Sequence, residues 1–150
     1  MSKPILDQIN LVCGDLDASV AFYRRLGVEI ADAGVWRTAT GAHHANAAPR
    51  PADHAIHFDL DSAAFAQIWN AGWKGRSDLR GRVVVGFRVP ARADVDDVFR
   101  GMTGAGYCGL QQPQDAFWGA RYAIIEDPDG IAVCVMSPIA PERKSPPPDV

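Results

Sequence analysis

One pattern governs what this chain can fold into: a strand followed at once by a capped amphipathic helix occurs twice, half a chain apart. In the first copy, residues 5–13 (ILDQINLVC) alternate apolar and polar positions and run directly into GDLDASVAFYRRLG. Asp15 or Asp17 stands where a carboxylate accepts the unpaired N–H groups of a helix start. Val20, Phe22, Tyr23 and Leu26 recur at helical spacing, and Gly27 supplies a left-handed stop. In the second copy, RVVVGFRV at 82–89 leads through PARA into DVDDVFRGMTGAG. Here Asp94 is the cap, Val95, Val98, Phe99 and Met102 form the apolar face, and Gly104 or Gly106 ends the helix. Asp15 to Gly27 and Asp94 to Gly106 are both 12 positions. A repeat at that distance predicts two related halves within one domain.

The segments after each helix support the same division. Strand patterns at 28–31, 35–40 and 55–60 follow the first helix, and patterns at 107–112, 120–126 and 131–136 follow the second, separated by Gly, Pro or Asp turns. Each half therefore reads strand–helix–strand–strand–strand, the first over about 5–61 and the second over about 82–137. Between them DSAAFAQIWNAGW, roughly 62–73, predicts a short bridging helix opened by Asp61 or Ser62, with Phe65, Ile68 and Trp69 inward. The tail, 138–150, carries five prolines in thirteen residues and reads as mobile.

Composition removes several functional classes. With 15 basic and 18 acidic side chains and a net charge of -3, the 150 residues hold no basic stripe of the kind that neutralises nucleic-acid phosphates. No apolar run approaches the roughly 20 residues that span a bilayer, and MSKPILDQ has no apolar signal core, so the expectation is a cytoplasmic protein that binds neither membrane nor nucleic acid. Cys13, Cys108 and Cys134 are odd in number, widely spaced and outside any C-x-x-C unit, which reads as free thiols. The chain has neither a phosphate-cradling glycine loop nor a G-x-S-x-G elbow.

Three stretches, QINLVCGDLDASVAFYRRLG at 8–27, VVVGFRV with its helix at 83–106, and FWGARYAIIEDPDG at 117–130 running into IAVCVMSP, resemble the vicinal oxygen chelate superfamily of glyoxalases, bleomycin-resistance proteins and extradiol dioxygenases. The resemblance spans 5–138 and implies an α+β fold of two βαβββ modules, each a curled antiparallel sheet, forming a cup for metal and substrate. It also implies a metal ligand from the first and last strand of each module. Gln8 falls at the opening position, and strand parity puts His57, Asp59 and Asp61 on the cup side of HAIHFDLDS, so His57 or Asp59 is the second candidate. In the second half the pattern places Val84 and Cys134 at the ligand positions. Valine cannot ligate, and a thiolate is a soft donor in an otherwise oxygen and imidazole set. The candidate metal set is thus Gln8, His57, Asp59 and Cys134, with loss of the site as the alternative. The four histidines fall at 43, 44, 54 and 57, the first two in what reads as a solvated Ala- and Pro-rich loop.

Aromatic residues suggest an organic ligand. Trp36, Trp69, Trp73 and Trp118 fall in or beside segments expected to line or cover the cup, where indole offers an apolar wall and one N–H donor. Trp69 and Trp73 are equally suited to cap the core. Trp118 and Tyr122, with Gln8, Asp59, Arg88, Trp69 and Trp73, form the expected ligand-binding set. Two functions follow: a bleomycin-resistance-like protein that binds a small organic molecule with no metal cofactor, or a lyase, isomerase or dioxygenase that uses a divalent ion. The family resemblance further implies a homodimer.

Overall fold

The computed structural model describes residues 8–48, 56–69 and 83–146. The chain forms two compact units, residues 1–76 and 77–150. In the first, β1 (Gln8–Cys13) leads to α1 (Leu16–Leu26), followed by β2 (Val35–Thr38), β3 (Gly41–Asn46), β4 (His57–Ser62) and α2 (Ala63–Trp69). In the second, β5 (Val84–Arg88) leads to α3 (Arg92–Gly104), followed by β6 (Gly109–Asp115), β7 (Arg121–Glu126) and β8 (Ala132–Met136). The sheet orders, β1-β4-β3-β2 and β5-β8-β7-β6, are the same with the strand numbers advanced by four. The fold is therefore two repeated βαβββ modules of α+β type.

Each sheet is mixed, a correction to the antiparallel expectation. Strands joined by short turns pair antiparallel, whereas β1 runs parallel to β4 and β5 parallel to β8. The helix after the opening strand returns the chain to the start of the sheet, so that strand can align with the closing one only in the same direction.

Local chemistry explains α1 well. The Asp15 carboxylate accepts from Ala18 N at 3.0 Å, and Gly27 takes φ 103°, closing the helix through bonds from Gly27 N to Arg24 O and Val28 N to Tyr23 O. The buried side of α1 holds Leu16, Val20, Phe22 and Tyr23, with the Tyr23 ring edge-on to Phe58 of β4 at 4.9 Å. In the second unit Val95, Phe99 and Met102 of α3 are buried, as are Val85, Ala123, Ile125, Val133 and Val135 of the sheet. Each large aliphatic or aromatic side chain so buried contributes about 1.5–3 kcal/mol.

Further expectations change. Residues 28–31 are irregular and lead into a 3₁₀ turn at Asp32–Gly34, while the histidine pair lies on strand β3. Asp94 sits inside α3, its carboxylate accepting from Ala91 N at 2.8 Å. The bridging segment instead packs α2 on β1, β3 and β4 of its own unit. Ala66 is its fully buried residue, and Ile68 points to solvent at 79% exposure. The proline-rich tail is tied down through its described part: Ala140 N bonds Gly119 O at 3.0 Å and Ser145 N bonds Phe117 O at 2.8 Å, around a 3₁₀ turn at Pro141–Arg143.

Candidate functional site: a polar face and an aromatic face

Strand register assembles the polar face of the first sheet. Gln8 is opposite His57, Asn10 opposite Asp59 and Val12 opposite Asp61 across β1–β4; His44 is opposite Asp61 and Asn46 opposite Asp59 across β3–β4. The expected pairing of Gln8, His57 and Asp59 on one side of the sheet is thus present in the backbone, with the Gln8 side chain outside the described residues. Tyr23 of α1 packs against Phe58, on the opposite side. Phe65 of α2 lies on the polar side, its ring 5.8 Å from that of His44 and 5.3 Å from Trp36. Ser62 holds the start of α2 by accepting from Phe65 N at 3.1 Å.

Two carboxylates are buried on this polar face, Asp59 at 8% and Asp61 at 1% exposure. Such groups demand partners. His44 Nδ1 meets Asp61 Oδ1 at 2.5 Å, and the Asn46 amide nitrogen reaches both His44 Nε2 at 2.8 Å and Asp59 Oδ1 at 3.1 Å. The amide group facing a carboxylate must be NH₂, so Asn46 donates to both neighbours. That assigns His44 Nε2 as an acceptor and Nδ1 as the N–H that donates to Asp61. Asn10 Oδ1 is buried with no hydrogen-bond partner among the described residues. His43 points elsewhere: its Nε2 meets Thr38 Oγ1 at 2.7 Å and Thr40 Oγ1 at 2.9 Å, and its ring lies 5.1 Å from Trp36. The sequence reading missed His44, Asn46 and Asp61 as a set. Alternation along AHHAN, taken as a strand, would have placed His44 and Asn46 together.

The second sheet carries an aromatic face. Its α3 side is filled by Val85, Val133, Val135, Ala123 and Ile125, so alternation puts Arg88, Met136, Tyr122 and Gln114 in one row on the other side, with Gly86, Cys134, Ile124 and Gln111 in the next. Met136, Tyr122, Cys134 and Ile124 are half-buried. Trp118 lies against Tyr122, ring centres 5.2 Å apart and planes tilted 33°, and Gln114 Nε2 donates to the Tyr122 hydroxyl at 2.5 Å. Arg88, at the end of that row, is exposed and makes no ion pair among the described residues. The structure thereby brings Trp118 and Tyr122 into contact and places Arg88 in their row. The Trp69 side chain and Trp73 lie outside the described residues.

The turn bearing Trp118 is fixed from behind. Gly119 adopts φ 94°, and a Cβ there would stand 2.4 Å from Ala140 O of the tail. Arg121 binds Asp96 of α3 with two N–H···O contacts of 2.6 Å and Asp115 with one of 2.9 Å; Arg92 also pairs with Asp115. The Arg121 guanidinium holds both carboxyls below the usual carboxylate range.

The implied metal set does not fit. Val84 offers no donor, and its cross-strand partner is Ala132. Burial pushes the Cys134 thiol up, away from the thiolate a metal would need. No group of three His, Cys, Asp or Glu suited to a metal exists among the described residues. No chemical step is therefore derived through an ion.

Duplicated βαβββ modules, each with one sheet face left to polar or aromatic side chains, define an α+β class of repeated-module folds. The model of the Glyoxalase/Bleomycin resistance protein/Dioxygenase superfamily matches residues 5–135, and the chain belongs to that family. Among solved structures it is similar to a glyoxalase/bleomycin resistance protein/dioxygenase from Nocardioides, with 20% identity, TM-score 0.67, and coverage of 93% of this chain and 86% of that one. It is also similar to a glyoxalase-related enzyme from Fulvimarina pelagi, with 20% identity, TM-score 0.70 and coverage of 89% and 88%. A family enzyme from Burkholderia phytofirmans PsJN gives 16% identity, TM-score 0.69 and coverage of 88% and 97%. No curated protein matches the chain.

Proposed function

We propose that this protein binds a small organic molecule against the aromatic face of its second unit, in the manner of the bleomycin-resistance branch and with no metal cofactor. The observation that carries this reading is the half-buried Trp118–Tyr122 pair, held on a glycine turn over a sheet face that α3 leaves uncovered. A flat apolar ligand gains ring contact there, while Arg88, Gln114 and the indole N–H supply polar orientation. Gln8, Asp59, Trp69 and Trp73, which belong to the first unit, are proposed as ligand contacts on that unit. The second reading, a metal-dependent lyase, isomerase or dioxygenase, draws on the Gln8–His57 and Asn10–Asp59 pairs of the first sheet.

Thermal-shift screening of planar organic molecules and of divalent ions separates the two. Organic hits that raise Tm and quench tryptophan fluorescence support binding; stoichiometric Zn, Ni, Mn or Fe in protein purified without chelator contradicts it. We further propose a cytoplasmic homodimer, in which unpaired sheet edges meet a second copy. No helix among the described residues is long and apolar enough to cross a membrane. Sedimentation at micromolar concentration should give twice the chain mass of 16.2 kDa.

A further inference from the structure

We infer that His44 and Asp61 form a general-base dyad on the first unit, able to take a proton from a carbon acid. The inference is independent of the aromatic face, since its residues all belong to β2, β3, β4 and α2. Asp61 is 1% exposed, and its carboxylate receives the His44 Nδ1 proton at 2.5 Å. A buried carboxylate at that distance fixes the ring's tautomer and stabilises the imidazolium that forms when the ring takes a second proton. The proton acceptor is Nε2, whose lone pair the Asn46 amide occupies at 2.8 Å. Asn46 itself is exposed and can swing to solvent, so it acts as a removable stopper. Phe65 stands beside the imidazole, its ring 5.8 Å from that of His44, with the Trp36 ring 5.3 Å from Phe65, and the His44 side chain keeps 23% of its surface accessible. A flat, weakly acidic substrate suits this arrangement: it can stack on the rings and present a C–H to Nε2.

The test uses 5-nitrobenzisoxazole, a flat carbon acid whose ring opens on loss of one proton. The C–H proton passes to Nε2, the freed pair completes a nitrile, the N–O bond breaks, and a coloured phenolate leaves. Wild-type protein should open the ring roughly 100-fold faster than His44→Gln, the scale of a positioned general base. Asn46→Ala, which uncovers Nε2 while sparing the dyad, should raise the rate several-fold. Asp61→Asn should lower it and, in nitrogen NMR, move the His44 proton from Nδ1 to Nε2; a merely structural Asp61 would shift Tm and leave the tautomer unchanged. Equal rates for folded His44→Gln and wild type would overturn the proposal, as would an Asn46→Ala rate no higher than wild type. An Nε2–H tautomer in the wild-type protein would do the same, whatever the variants' stability.

Discussion

At the scale of single residues, Gly119 and Asn10 give opposite predictions. Gly119 needs both its left-handed backbone and its missing side chain, because any Cβ would collide with Ala140 O. Gly119→Ala should cost about 1–3 kcal/mol from backbone strain alone, read as a lower Tm, and should loosen Trp118 as seen in its fluorescence. Asn10 is the opposite case. Its buried Oδ1 carries a desolvation cost with no bond among the described residues to offset it, so Asn10→Leu should leave Tm unchanged or raise it, since removing an unpaired buried polar group is neutral or stabilising. A clear fall in Tm would show that the oxygen has a partner in the folded protein. The first position carries a mark in the sequence, a glycine directly after a tryptophan, whereas the second carries none. Whether a buried amide finds a donor depends on cross-strand neighbours, and Asn10 meets Asp59 only after β1 and β4 pair in parallel.

At the scale of elements, α3 is held to the β6–β7 turn by Arg121, Asp96, Asp115 and Arg92. Asp96 and Asp115 have folded pKa values below the unfolded one, so they bind fewer protons folded than unfolded. Their contribution is fully present above the ordinary carboxylate value of about 3.9 and fades as the pH falls below it. Melting curves from pH 6 down to about pH 3 should therefore show an acid limb that Arg121→Gln flattens. Asp17, lowered by Arg37, persists in both proteins and cancels in the difference. An unchanged limb would mean that this partly exposed network is screened out by solvent. Elements with their own punctuation were legible in advance: α1 between Asp15 and Gly27, and the apolar face of α3. β3 was not, because GAHHAN has neither β-branched residues nor apolar alternation. It becomes a strand through pairing with β2 and β4, which no local propensity records.

At the scale of the whole molecule, duplication gives two modules of one topology whose sheet faces opposite α1 and α3 have diverged, one to a hydrogen-bonded His–Asp–Asn–Asp network and one to aromatic rings. The equal helix spacing made the duplication readable, and strand parity sorted His57, Asp59 and Asp61 to the correct face. Parity could not show that Asp59 and Asp61 are buried and bonded, since burial depends on what packs over the sheet. The central claim, that the aromatic face is where a ligand binds, is tested most directly by titrating a planar ligand from the screen into wild type and Trp118→Ala while following thermal unfolding. The account predicts an affinity loss of about 1–3 kcal/mol from lost ring contact, with a stability cost below the roughly 3–5 kcal/mol of truncating a fully buried core aromatic. Unchanged affinity together with a stability loss of that full size would contradict it and place Trp118 in the core.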